Sequence, residues 1–404
     1  MRLDWASELS GKAGPFATVS LDVSRDDAEA AREIELRWEA HARHLTEQGA
    51  PEDVVKALRD VVTGPTGRGG RLGRLAVANA DGVVLDLVLP EPPVRESTLW
   101  GPVPQLLPAA RALRDQLTYV LAEIDSAGAE IQVVTPWGST SHEVQGDHDV
   151  LHRIPGGGWS HRRYQMRVED SVARNADEVA RALAQLVREV RPDLVLCAGE
   201  PKALSELLDS VPGEVAQRCV KVQHGSRAAK AGETARDEEI AAIVGQRLRE
   251  RRAEVFDRFA AGEARQDTAV QSLPDVVVAL QRSQVDELLL VDDPSSDLTL
   301  WATGQPDQLA LDREDLVAMG VADGARQVRA DAAIVWALAG TGAGITIYDE
   351  GPEDAALEGV RAESPPRLRD GIGAVLRWDD RSTSHDGAPA MPGHGEPPGA
   401  PPEW

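Results

Sequence analysis

The residues best suited to chemistry lie in one short run, LHRIPGGGWSHRRYQMRV at 151–168. It holds Arg153, Arg162, Arg163 and Arg167, together with His152 and His161, and contains no acid. Gly156, Gly157 and Gly158 stand consecutively at its centre, followed by Trp159. Glycine permits backbone conformations and close approaches that a Cβ forbids. Guanidinium forks match phosphate oxygens, and an indole ring can stack on an unpaired base. The combination suits RNA; the competing reading is a surface loop whose arginines pair with acids elsewhere in the chain.

A second basic loop, GPTGRGGRLGR at 64–74, carries Arg68, Arg71 and Arg74. It lacks the Gly-Lys-Ser/Thr ending of a phosphate-cradling loop and precedes a strand rather than a helix. That leaves an RNA-backbone contact or a solvated loop. GTGAG at 340–344 follows a helix and precedes a strand, the reverse of a dinucleotide-binding fingerprint. His142, His148 and His152 are close in sequence but lack the spacing of a zinc motif, so no metal and no cofactor are expected. His41 and His44 share a helix and are expected to be solvated. Cys197 and Cys219 fall in strands and are expected to be buried, inert thiols.

These residues sit in a chain of 404 residues with a formal net charge of −24. Attraction to nucleic acid is therefore not a property of the whole molecule; any RNA contact must run through local arginine patches. Lysine occurs only at Lys12, Lys56, Lys202, Lys221 and Lys230, so arginine carries the positive charge. A hydrophobic fraction of 42% is enough for several cores. Two cysteines exclude a disulfide scaffold and suit a reducing cytoplasm. No apolar run reaches the roughly 18 residues of a membrane span, and the first residues lack a signal-peptide centre.

Periodicity predicts the elements that position the basic loops. Strand 16–23 and helices 25–48 (with Ser24 as N-cap) and 52–63 open the chain. Strands 75–78 and 83–88, a Pro-rich stretch at 90–108 and a three-strand meander at 117–145 follow. This reads as one α+β domain, 1–145. A central α/β domain, 146–268, has a long helix at 168–190, strand 193–198, helix 201–210, strand 219–222 and helix 235–262. A third α/β domain, 269–380, contains the near-continuously apolar strand 285–291. The Pro/Gly-rich tail, 381–404, is expected to be disordered. The predicted fold class is thus α/β and α+β, in three consecutive domains.

The order of a glycine loop, a long helix and an α/β layer resembles the middle domain of archaeal and eukaryotic class I peptide-chain release factors. Gly157-Gly158-Trp159-Ser160 stands where that family has Gly-Gly-Gln-Ser, with Arg163 and Arg167 downstream. VDELLLVDD at 285–293 and GIGAVLRW at 371–378 resemble the ribosomal-protein-like last domain of that superfamily and of Pelota. The whole of about 1–380 looks like the bacterial branch, which includes the Balon-like hibernation factors. The first segment has no Asn-Ile-Lys-Ser motif.

The resemblance implies a ligand of the ribosomal A site. The first domain would face the decoding centre, the arginine loop would meet rRNA in the large subunit, and the last domain would face a translational GTPase such as elongation factor Tu. Trp159 replaces the glutamine of the release motif and offers no carbonyl, so efficient peptide release is not expected. The expected role is non-catalytic, in ribosome hibernation or stress, with no membrane and no DNA partner. A peptidyl-tRNA hydrolase or rescue factor using His161, and a ribosome-independent stress adaptor, are the alternatives.

Overall fold

The computed structural model describes residues 1–25, 29–67, 69–125, 128–145, 159–223, 233–293, 295–321, 323–349 and 365–379; of these, 145, 159–172 and 233 are described as backbone only. The chain divides into two compact units, Met1–Arg114 with Arg252–Trp404, and Asp115–Arg251. It is a mixed α/β protein with several sheets.

The first unit begins with α1 (Asp4–Ser7), β1 (Phe16–Asp22), α2 (Ala30–Glu47), α3 (Glu52–Val62), β2 (Gly73–Asn79), β3 (Gly82–Leu89), β4 (Ser97–Gly101) and α4 (Leu107–Leu113). The strands form an antiparallel sheet in the order β3-β2-β1-β4. Alternate residues of a strand face opposite sides. Ala17, Val19 and Leu21 pack with Ile34, Trp38 and Leu45 of α2 and with Val54, Leu58 and Val62 of α3. Phe16 joins Leu75, Val77 and Leu89 in a separate cluster. Helix α2 starts later than its sequence predicts. The Ser24 hydroxyl accepts a hydrogen bond from the Leu72 amide at 3.1 Å, so it ties two loops together rather than capping the helix.

The second unit contains β5 (Tyr119–Asp125), β6 (Gly128–Thr135), β7 (Gly138–Gln145), α5 (Trp159–Val190), β8 (Leu194–Gly199), α6 (Pro201–Ser210), α7 (Gly213–Ala216), β9 (Cys219–Lys221) and the first part of α8 (Glu233–Arg265). The expected meander forms, but not as part of the first domain. It shares a five-stranded sheet, β7-β6-β5-β8-β9, in which β5, β8 and β9 run parallel. The boundary therefore falls near 115, not 145. Both faces of β5 and β8 are covered, which explains the unbroken apolar sequence of β8. Val120, Ala122, Ile124, Val195 and Cys197 face α5 and α6. Leu121, Leu196 and Ala198 pack with Val222 and Ile240.

The chain then returns to the first unit with β10 (Ala269–Gln271), α9 (Leu273–Gln281), β11 (Val285–Val291), β12 (Thr299–Ala302), β13 (Leu309–Ala310), α10 (Arg313–Ala318), β14 (Arg326–Arg329), α11 (Ala330–Thr341), β15 (Gly344–Tyr348) and β16 (Ile372–Leu376). A mixed sheet runs β10-β16-β11-β15, and a small antiparallel one β13-β12-β14. Helix α11 is buried all round, as its apolar sequence ADAAIVWALA requires. One core cluster holds α11 together with Leu3, Phe16 and α4. Phe16 meets Trp336 with ring centroids 5.5 Å apart. Arg111 of α4 and Arg114, just after it, reach Asp292, the residue following β11, at 2.7 and 3.0 Å. The segments expected as first and third domains thus form one discontinuous unit, because neither end of the chain covers this apolar surface alone.

Gly199 ends β8 with φ +142°, and a Cβ there would overlap the carbonyl of Ile124. The next amide, of Glu200, donates to that same carbonyl at 3.0 Å and leads directly into α6. Gly199→Ala should therefore destabilise the second unit by about 3 kcal/mol. Urea unfolding followed by amide exchange in β5 and β8 measures this; an unchanged midpoint refutes it.

Candidate nucleic-acid interface

Helix α5 begins at Trp159, nine residues before the expected start at 168. The three glycines thus immediately precede a helix N-terminus. Its first turn contains no acidic residue. Most helices favour acids there, because the aligned peptide dipoles leave a partial positive charge at that end. Here Arg162 and Arg163 follow instead, so two sources of positive potential coincide in sequence. Arg163 and Arg167 are four residues apart, on one face of the helix. Arg153, Gly156, Gly157 and Gly158 lie outside the described residues, and Trp159, His161, Arg162, Arg163 and Arg167 are described as backbone alone.

The other end of α5 holds the helix in place. Ala176, Val179, Ala180, Leu183, Ala184 and Val187 are buried against β5, β6, β8 and α6. From Trp159 to Ala176 an α-helix rises about 25 Å. The basic end is thus carried on a helix whose apolar stripe is seated in the unit's core.

The second basic loop does not act as one group. Arg68 lies outside the described residues, and Arg71 is exposed. Arg74 is only 5% exposed. Its Nε and Nη2 each donate to the Asp86 carboxylate at 2.7 Å, and Nη1 donates to the Gly64 carbonyl at 3.3 Å. A guanidinium held in this bidentate manner binds β2 to β3 and is not presented to a ligand. Its basic neighbours in sequence gave no sign of this, because the partner acid lies on the next strand.

His41 also departs from its expected solvated state. It is half-buried between β4 and α2, with Nδ1 2.5 Å from the Thr98 hydroxyl and Nε2 3.0 Å from Glu96 Oε2. The Asp22 amide donates to Glu96 Oε1 at 3.1 Å. The hydrogen bond from His41 holds the Glu96 carboxyl below its usual range, against the opposing effect of burial. The available signal was position: His41 is three residues after buried Trp38 and four before buried Leu45, on the inward face of α2. Hydroxyl, imidazole and carboxylate in series are acid–base groups, and here they fasten α2 to the edge strand.

Of the two cysteines expected to be buried, Cys197 is and Cys219, half-exposed, is not fully so. Their sulfurs are 3.6 Å apart. Among the described residues, no three His, Cys, Asp or Glu side chains converge as a metal site. No described helix is long and apolar enough to cross a membrane.

Residues 118–265 match the family model described as bacterial archaeo-eukaryotic release factor family 2. The span covers the whole five-stranded sheet, α5 and α8. Over that span the chain is similar to the bacterial archaeo-eukaryotic release factors. Two uncharacterized proteins of Mycobacterium tuberculosis are each 27% identical over 383 residues, covering 93% of this chain and 96% of the relative. Among solved structures, the archaeal translation termination factor aRF1 aligns at 14% identity and TM-score 0.24, covering 92% of this chain and 95% of its own. Ribosome-bound archaeal Pelota aligns at 10% identity and TM-score 0.38, covering 93% of each chain.

Arg74→Ala should lower the unfolding free energy by about 2–3 kcal/mol by stranding Asp86. Arg71→Ala should change it by less than about 0.5 kcal/mol; equal effects in urea melts would refute the distinction. The Glu96 contribution has a definite pH sign. Its folded pKa is depressed, so the stabilisation is present above the unfolded value and lost as pH falls through the folded one. Glu96→Gln should cost about 1 kcal/mol at pH 7, and the gap from the wild type should narrow below about pH 4.3. A gap that widens on acidification in thermal melts contradicts this assignment.

Proposed function

We propose that the protein is a ribosome-directed translation factor that occupies the A site without catalysing peptide release. The observation that carries this reading is the family match across a unit whose long helix opens, directly after three glycines, on an acid-free turn rich in arginine. Arg153, Arg162, Arg163 and Arg167 supply phosphate contacts to rRNA in this reading, and Trp159 supplies a stacking surface. Arg68 and Arg71 are secondary contacts. The acidity of the chain as a whole (net charge −24) keeps binding local, because RNA repels most of its surface.

Release of a nascent peptide requires a water molecule held against the peptidyl-tRNA ester. Trp159 has one N–H donor and no acceptor in place of the amide carried at that position by release factors. The reading is therefore occupancy rather than hydrolysis, in a cytoplasmic role in ribosome hibernation or stress, with no cofactor. Delivery by elongation factor Tu through the segment 269–380 belongs to the same reading.

Sedimentation with vacant 70S ribosomes tests it. Co-migration is expected at low salt, declining steeply as salt rises. The double variant Arg162→Glu/Arg163→Glu should weaken binding by about tenfold or more and reduce the salt dependence. Absence of co-migration at low salt overturns the proposal. Peptide release from stalled ribosome–nascent-chain complexes, lost on His161→Ala, would replace it with the hydrolase reading.

A further inference from the structure

We propose that Cys197 and Cys219 form a peroxide-sensitive dithiol, a modification site in which Cys219 is oxidised first and Cys197 resolves it to an intramolecular disulfide. The site is independent of the ribosome reading, since it lies in the sheet and involves none of the arginines.

The geometry follows from the strand register. Cys197 on β8 pairs with Lys221 on β9, two residues beyond Cys219. Residues two apart on a strand share a face, so both thiols leave the same side of neighbouring parallel strands. Their sulfurs are already in contact at 3.6 Å. A disulfide needs about 2.05 Å, so the pair must close by roughly 1.5 Å. Strand β9 can provide that movement: it is three residues long, at the sheet edge, with β8 as its one strand neighbour.

The two thiols are not equivalent. The Cys197 thiol donates to the Cys219 sulfur. This bond, together with burial, pushes the Cys197 thiol up. The same bond draws the Cys219 thiol below its usual value. Cys219 is also the half-exposed partner, at the edge where an oxidant can reach it. A low-pKa accessible cysteine beside a resolving thiol is the arrangement that oxidation selects.

Hydrogen peroxide is the oxidant. The Cys219 thiolate attacks one peroxide oxygen, the O–O bond breaks, and hydroxide leaves, giving the sulfenic acid. The Cys197 sulfur then attacks the Cys219 sulfur. The S–O bond breaks, and the departing hydroxyl takes the Cys197 proton as water. In sum, two thiols lose two electrons and one peroxide becomes two waters. The product links β8 to β9 and closes the loop that contains α6 and α7.

The chain has only these two cysteines, so the readout is direct. Full-length reduced protein treated with hydrogen peroxide should fall from two free thiols to none without forming a disulfide-linked dimer. Its intact mass should fall by two hydrogens, and dithiothreitol should restore both thiols. In Cys197→Ala, a dimedone adduct should appear on Cys219. In Cys219→Ser, the Cys197 thiol should persist. Retention of both thiols in the native wild type, when the urea-unfolded chain is consumed, overturns the proposal. So does an exclusively intermolecular disulfide, or a dimedone adduct on Cys197 in Cys219→Ser.

Discussion

The apolar stripe of α5, from Ala176 to Val187, is the constraint on which the candidate interface depends. A helix of this length gains little from its own hydrogen bonds in water; burial of one face is what holds it. The stripe seats the C-terminal half of α5 on β5, β6 and β8. Gly199 belongs to the same constraint, because the close approach to Ile124 allows α6 to start directly from β8 and pack beside α5.

Strands with continuous apolar sequence and helices with a regular stripe were legible in the sequence. β8, β11 and α11 lie where their patterns put them, because each is covered on all sides and its composition says so. The domain boundary was not legible. The meander β5–β7 reads as part of what precedes it, since hairpins are local contacts. The strand that claims it, β8, comes after the whole of α5, and parallel pairing leaves no turn signal in the intervening sequence. The Pro-rich stretch 90–108 likewise hid β4 and α4. Pro108 does not interrupt α4, since it stands in the first turn, where no intrahelical amide is lost.

The candidate site was legible as a motif and less so as a set of individual roles. Arg68, Arg71 and Arg74 look equivalent in sequence, yet Arg74 is committed to Asp86. His41 and His44 look equally solvated, yet His41 lies on the buried face of α2. In both cases the deciding partner is an acid on a different element, at a separation that local pattern does not encode. The cysteines make the same point. Each is an ordinary strand thiol taken alone, and only the β8–β9 register brings them together.

Charge pairing explains why one arginine segment stands apart in so acidic a chain. Arg74, Arg111, Arg114, Arg236 and Arg329 each sit against an aspartate or glutamate of their own unit. With 67 acids against 43 lysines and arginines, the composition favours internal pairing of arginine. An acid-free run of eighteen residues with four arginines runs against that tendency. No carboxylate stands at i, i+3 or i, i+4 from Arg162 or Arg163, the first such acid being Asp170, three residues after Arg167, and the helix dipole at Trp159 adds to the positive potential rather than offsetting it. An arrangement that is unfavourable for an isolated helix end becomes favourable beside an external polyanion, which is why the function proposed above assigns this segment the phosphates of RNA.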